Sequence, residues 1–232
     1  MIINKIKTPC IDDECSETSC EINCIHIRIE DFQPIIEEFR TEITDTCWIN
    51  KLDAFSQLTF NVNVQKTINK IVNDIIAKVE SKITVEIGEY IVSYSALKAL
   101  KIEFNHTLIP LAELLKEKVS GNPGFDFHSI SEKKHLIFGE AKFSLSKTSR
   151  ALALNQIALF IDDRDHGELL TLAPFLTEET KEHLLNDRKG YSAAFSYNGN
   201  DLFEMFNKAV KSDSFKKIIE HKELYLIAVE IC

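Results

Sequence analysis

The chain has 232 residues, of which 44% are hydrophobic and 27% are charged, and its formal net charge is −9. This length allows one domain with a sizeable core and a possible extension. No apolar run is long enough to span a membrane, and no basic segment precedes an apolar one at the start, so we expect a soluble, cytoplasmic protein. Proteins that bind DNA alone usually show a basic patch, and this acidic chain shows none clearly. If this protein contacts nucleic acid, either its positive charge is concentrated on one face or a partner supplies the affinity.

Four of the six cysteines lie near the N-terminus, at Cys10, Cys15, Cys20 and Cys24. Their spacing is looser than that of the cysteine pairs in zinc sites, and acidic residues lie between them. Free thiols in a polar, partly ordered leader are therefore favoured, with a metal site as the alternative. Alternating apolar residues then predict a half-buried strand over residues 24–29.

The next part of the chain predicts two helices with a strand between them. Asp31 is a candidate cap for a helix that ends near Glu42. Residues 58–64 alternate and predict a strand, whereas apolar residues of the segment 65–82 recur every three or four positions and predict a helix.

A further helix is predicted over residues 85–100, with Gly88 and Glu89 near its start. By itself, Glu89 reads as an acid that complements the helix dipole. Pro110 argues against an uninterrupted strand or helix after it, so we expect a loop and then a strand or short helix over residues 111–119.

Two apolar runs flank a charged turn at residues 131–134 and predict a β-hairpin over residues 124–143. Side chains alternate between the faces of a strand, so Asp126 points away from its two phenylalanine neighbours. On the second strand, Glu140 and Lys142 share a face. One face of an otherwise apolar hairpin can therefore carry an Asp, a Glu and a Lys.

This charged group favours a cation. Two carboxylates about 4 Å apart repel by roughly 4 kcal/mol at an effective dielectric near 20, and one lysine offsets only part of this. Carboxylate oxygens suit Mg²⁺, and Lys142 could hold a water or stabilise a developing oxyanion. The chemistry indicated is metal-assisted hydrolysis of a phosphodiester; a hairpin whose charges merely face solvent is the alternative.

The run Gly124-Phe125-Asp126, followed about a dozen residues later by Gly139-Glu140-Ala141-Lys142, resembles the PD-(D/E)xK nuclease superfamily. The proline of the family name is displaced to Pro123. The resemblance implies an α/β, restriction-endonuclease-like core with a mixed central sheet flanked by helices. We expect residues 83–232 to form this core and residues 1–82 to form an N-terminal α+β extension, which is a candidate docking region for a partner.

The resemblance also implies roles for individual residues. Asp126 and Glu140 would hold Mg²⁺ or Mn²⁺ with help from the backbone carbonyl of Ala141. Lys142 would orient or activate the attacking water. Glu89 matches the position of an acid that serves as a third metal ligand or orients a metal-bound water.

Further candidates are less specific. Glu86 is the reserve for the helical acid. Gln156, on a helix predicted over residues 149–161, matches a residue that points back at the site in many members, although a solvent-facing Gln is equally compatible. Lys147 and Arg150 are candidate phosphate contacts at the start of that helix.

The C-terminal part predicts a charged loop at 162–166, one or two short helices within 169–185, a strand at 190–197, a helix after Asp201, a further apolar segment at 215–219 and a buried strand at 224–231.

A narrower resemblance covers about residues 88–160 and is to the HamA family, the nuclease subunits of the Hachiman anti-phage defence system. It rests on Gly-Glu in the helix, Gly-Phe-Asp and Gly-Glu-Ala-Lys-Phe. It implies a DNA nuclease held silent by a helicase partner of the HamB kind, which binds the DNA. A stand-alone restriction-type endonuclease and a non-catalytic scaffold on a nuclease fold are the alternatives.

Overall fold

A computed structural model describes residues 1–6, 8, 18–76, 84–115, 124–144, 148–161 and 163–232. The described strands are β1 (Ile2–Ile6), β2 (Glu21–Ile29), β3 (Thr107–Leu108), β4 (Phe127–Ile130), β5 (Leu136–Lys142), β6 (Lys189–Ser196) and β7 (Glu223–Ile231). They form one seven-stranded sheet in the order β1-β2-β7-β6-β5-β4-β3. The four strands from β2 to β5 in this order are parallel, and the strands beyond them on either side pair antiparallel. The predicted mixed α/β sheet is therefore confirmed.

Helices flank this sheet. They are α1 (Gln33–Thr44), α2 (Ala54–Lys70), α3 (Val85–Phe104), α4 (Ala112–Leu115), α5 (Ser149–Phe160), α6 (Arg164–Leu172), α7 (Glu178–Leu185), α8 (Leu202–Val210) and α9 (Asp213–Ile218). Both α3 and α5 pack on the central strands β5 and β6. These two strands are buried along almost their whole length, and most of their residues are small or apolar, as burial on both faces of a sheet requires. None of the helices in the described ranges has the length and apolar character needed to cross a membrane.

The N-terminal strands join the same sheet as the predicted core. β2 pairs in parallel with the C-terminal strand β7 over nine residues. The predicted boundary between residues 82 and 83 lies outside the described residues. The division into extension and core therefore stays a prediction, and the extension contributes two strands to the common sheet.

The cysteine cluster is described only in part, since Cys10 and Cys15 lie outside the described residues. Cys20 and Cys24 are buried free thiols. Burial raises the pKa of each to about 12. Both therefore stay protonated at neutral pH and pack as small apolar side chains.

The strand predicted over residues 58–64 is wrong, because this segment lies inside α2. Its alternation hides a helical period: Phe60, Val64 and Ile68 are buried at intervals of four, while Val62 is 62% exposed. Asp53 starts the helix, since its side chain accepts hydrogen bonds from the backbone N–H groups of Phe55 and Ser56.

One shorter segment differs from expectation, and a second agrees with its predicted strand or short helix as far as it is described. Residues 164–166 begin α6 and do not belong to a loop. Of the segment 111–119, residues 112–115 form the short helix α4, and residues 116–119 lie outside the described part. The predicted helices at 85 and 149 and the strands at 190 and 224 are confirmed.

We predict that Asp53→Ala lowers the free energy of unfolding by about 1 kcal/mol, because two N–H groups of the first turn of α2 lose their acceptor. Urea unfolding measures this change. Asn61→Ala, at an exposed position of the same helix, is the matched control and should leave stability nearly unchanged. Equal stability of the two variants would contradict the assigned cap.

Candidate active site

The register of the β4–β5 hairpin brings the two predicted acids together. Phe127 pairs with Gly139, so Asp126, one residue earlier, lies opposite Glu140. The Asp126 N–H donates to the Gly139 carbonyl at 2.9 Å. The Asp126 carboxylate in turn accepts a hydrogen bond from the Ala141 N–H at 2.8 Å. Asp126 is therefore fixed to β5 on both sides of Glu140.

Glu140 is fully buried beside a like charge. Its exposed fraction is 0%, and the Lys142 ammonium is the charged partner that the described residues place beside its oxygens. Burial raises the pKa of Glu140 well above its usual range, and the Asp126 carboxylate raises it further. The Lys142 ammonium lowers the pKa only in part. Without a further cation, this carboxylate is therefore held in an unfavourable place.

Lys142 ends β5 and lies between two acids. Its Nζ is 2.5 Å from Glu140 Oε1 and 3.9 Å from Glu89 Oε1. Burial alone lowers the pKa of Lys142, but the carboxylates of Glu140 and Asp126 outweigh this, and the pKa is raised overall. The side chain is therefore an ammonium at neutral pH, suited to holding an anion or a water oxygen and unsuited to taking up a proton.

Close packing of α3 on β5 delivers Glu89 to this group. A Cβ on Gly88 would lie 2.2 Å from the ring of Phe143, so only glycine allows the helix to approach this far. Glu89, the next residue, keeps its side chain 40% exposed on the solvent side of Lys142. The close contact between Gly88 and Phe143 thus joins the Gly-Glu pair to the Gly-Glu-Ala-Lys-Phe segment.

Glu113 of α4 is an acid near the site that the sequence analysis did not predict. Tyr90 of α3 is buried, and burial raises its pKa, with further increases from Glu113, Glu86, Asp126 and Glu89 in that order. Glu113 lies on α4, whose Ala112 N–H donates to the Asp126 carbonyl at 3.3 Å. No local pattern marks this carboxylate, since α4 has only four residues and reaches the site through tertiary packing.

The structure describes two of the three remaining candidates, Gln156 and Arg150. Gln156 is half-buried on α5, and its side chain makes no hydrogen bond to the described residues. Arg150 directs its Nη1 to the carbonyl of Met205 at 2.9 Å, and burial lowers its pKa. Lys147 lies outside the described residues. The structure thus brings Asp126 and Glu140 together with Lys142 and Glu89. It does not show Gln156, Arg150 or Lys147 among them.

The donor set fits a hard divalent cation in kind but is small. Two opposed carboxylates, one of them buried with a raised pKa, are the oxygen ligands that Mg²⁺ and Mn²⁺ accept. Within the described residues, however, no group of three or more His, Cys, Asp or Glu side chains is arranged to hold a metal. A cation here would therefore rely on two carboxylates, the Ala141 carbonyl and water or substrate oxygens.

Comparisons with protein-family models, curated proteins and solved structures found no match for this chain. The geometry of the site therefore carries the functional argument.

We predict that Gly88→Ala destabilises the fold by about 1–3 kcal/mol, because the added methyl group overlaps the Phe143 ring. Chemical denaturation measures the change. Gly167→Ala in α6 is the matched control: no heavy atom lies within 4 Å of its added Cβ, and stability should rise by about 0.5–1 kcal/mol. A Gly88→Ala protein as stable as the wild type would show that this contact is not tight.

Proposed function

We propose that this chain is a divalent-metal-dependent nuclease that hydrolyses DNA phosphodiesters, with a restriction-endonuclease-like arrangement of its core. One observation carries the proposal: Asp126 and Glu140 face each other across the hairpin, with the Lys142 ammonium 2.5 Å from the buried acid. A structural ion pair would not need the second carboxylate. Strongly perturbed pKa values of this kind cluster at functional sites.

Each residue has a defined task in this proposal. Asp126, Glu140 and the Ala141 carbonyl would hold Mg²⁺ or Mn²⁺, which when bound supplies Lewis-acid stabilisation of the scissile phosphate and its leaving oxygen. Lys142 orients the attacking water and stabilises negative charge on the phosphate oxygens. Its raised pKa keeps it protonated, which favours orientation over proton abstraction. Glu89 limits the position of the Lys142 side chain from the solvent side.

The finer assignment is to a HamA-like subunit of an anti-phage defence complex that acts with a helicase partner. The net charge of −9 supports it, because an acidic chain gains affinity for DNA through a partner. The acids around Tyr90 add to the local negative charge. Both features disfavour a stand-alone restriction-type endonuclease.

A non-catalytic scaffold is the second candidate, and one observation favours it. In the described residues the acids do not form a metal site of three or more side-chain ligands, and Lys142 already pairs with Glu140. In a scaffold, this ion pair would be structural, and Mn²⁺ would bind no better to the wild type than to Glu140→Ala.

We predict that Asp126→Ala, Glu140→Ala and Lys142→Ala each reduce plasmid cleavage by about 100-fold or more, since each removes a group that contacts the metal or the phosphate. Cleavage is measured in Mg²⁺ and in Mn²⁺, with the chain alone and with a candidate helicase partner added. Glu178→Ala, an exposed acid on α7, is the control and should retain full activity.

Calorimetry with Mn²⁺ separates the two candidates in the same preparations. Binding to the wild type and loss of binding in Glu140→Ala support the nuclease. Full cleavage by folded Lys142→Ala would refute the role of the ammonium, and equal Mn²⁺ binding by wild type and Glu140→Ala would leave the scaffold.

The burial of Glu140 also predicts that the stability of the fold depends on pH when a chelator is present. The pKa of Glu140 is higher in the folded chain than its ordinary value of 4.5, so the folded state binds the proton more tightly. Stability should therefore fall as pH rises from 4.5 through the raised pKa. Glu140→Gln should remove the contribution of Glu140 to this slope and be more stable than the wild type at pH 7.

Urea unfolding between pH 4.5 and pH 8 measures this slope. Glu178→Gln is the control and should retain the wild-type slope. Added Mn²⁺ should stabilise the wild type and not Glu140→Gln. The prediction would be wrong if, in chelator, the stability of the wild type rises with pH over this range and that of Glu140→Gln rises in the same way. Burial of the ionised Glu140 would then not destabilise the fold.

A further inference from the structure

The Glu168 carboxylate, on α6, binds residues on both sides of Asp126. Glu168 is 5% exposed, and its Oε1 accepts a hydrogen bond from the Phe125 N–H at 3.0 Å. Its Oε2 lies 2.7 Å from Nε2 of His128, whose side chain is completely buried. One side chain therefore fixes a residue just before Asp126 and another two residues after it.

Both contacts hold the backbone that sets the orientation of Asp126. Asp126 reaches β5 through its N–H to the Gly139 carbonyl and its carboxylate to the Ala141 N–H. The Phe125 N–H precedes the regular ladder, where β4 has not yet begun, and Glu168 is its acceptor. Without Glu168, the Phe125 N–H would lose its acceptor, and the segment before β4 would lose the hydrogen bond that fixes its orientation.

The strength of this contact follows from burial. Here both oxygens of Glu168 are used, in an environment that water does not reach. Loss of such a partner leaves a buried donor unsatisfied, which is costly. The strand end should therefore move if Glu168 is removed.

We propose that Glu168 is a positioning residue for the active site: it sets Asp126 opposite Glu140 by holding Phe125 and His128. This inference rests on the proposed function for its catalytic consequence. Its geometric part, the hydrogen bond from the Ala141 N–H to Asp126, can be measured without metal or DNA.

The same helix offers a matched control. Asp165 of α6 is also completely buried, and it accepts a hydrogen bond from the Tyr191 hydroxyl at 2.8 Å. Tyr191→Phe thus removes one buried hydrogen bond to α6 while it keeps the ring that lies 6.0 Å from the ring of Phe125. It reports what a general loosening of the helix does to the site.

The experiment compares the wild type, Glu168→Gln, Glu168→Ala and Tyr191→Phe in two readouts. Hydrogen exchange of the Ala141 amide in chelator should accelerate at least about tenfold in Glu168→Ala, less in Glu168→Gln, whose amide oxygen can still accept from Phe125, and little in Tyr191→Phe. The Mn²⁺ dissociation constant should rise in the same order, about tenfold in Glu168→Ala.

Each outcome is decisive. If Glu168→Ala does not fold, Glu168→Gln provides the comparison. Unchanged Ala141 exchange in a folded Glu168 variant, or an equal acceleration in Tyr191→Phe, overturns the inference. A wild type that binds no Mn²⁺ refutes the proposed function alone, and Ala141 exchange then judges the positioning role by itself.

Discussion

The register between β4 and β5 is the constraint on which the whole site depends. Pairing of Phe127 with Gly139 places Asp126 across from Glu140, and a shift of one residue would move one acid to the other face of the sheet. Glycine is required for this register, because a Cβ at position 139 would lie 2.2 Å from the Phe127 ring. The packing of the Phe127 ring against Gly139 therefore determines that Asp126 and Glu140 lie opposite each other.

The charges that meet there do not stabilise the fold. Removing a carboxylate from water is costly, and a buried ion pair often contributes less than an apolar pair of the same size. Here the balance is visible in the direction of the shifts: the pKa of Glu140 is raised by burial and by Asp126 despite the neighbouring Lys142. The extensively buried strands β5, β6 and β7 supply the apolar packing that tolerates this cost. Under the proposed function, the fold retains this cost because the active site needs both carboxylates.

How much of this could be predicted from the sequence depends on the range of the interaction. The faces of the hairpin follow from the two-residue period of a strand, so Asp126, Glu140 and Lys142 were predictable as neighbours. The period failed at residues 58–64, where alternation and helical spacing coincide at Phe60 and Val64. The pairing of β2 with β7 joins the two ends of the chain and leaves no local signal. The same holds for Glu113 and Glu168, which reach the site on short helices through tertiary contacts.

The acids that surround the site also give a physical reason for a partner. A DNA phosphate approaching Lys142 would meet the field of Glu89 and of the other carboxylates that act on Tyr90. Coulomb repulsion of this kind is weakly screened near buried groups, so it lowers the local concentration of nucleic acid. A bound divalent cation would offset the charges nearest the scissile bond, and the rest must be overcome by binding energy from elsewhere. Under the proposed function, a partner that holds the DNA supplies this energy, and the subunit by itself stays inactive because its own charges repel the substrate.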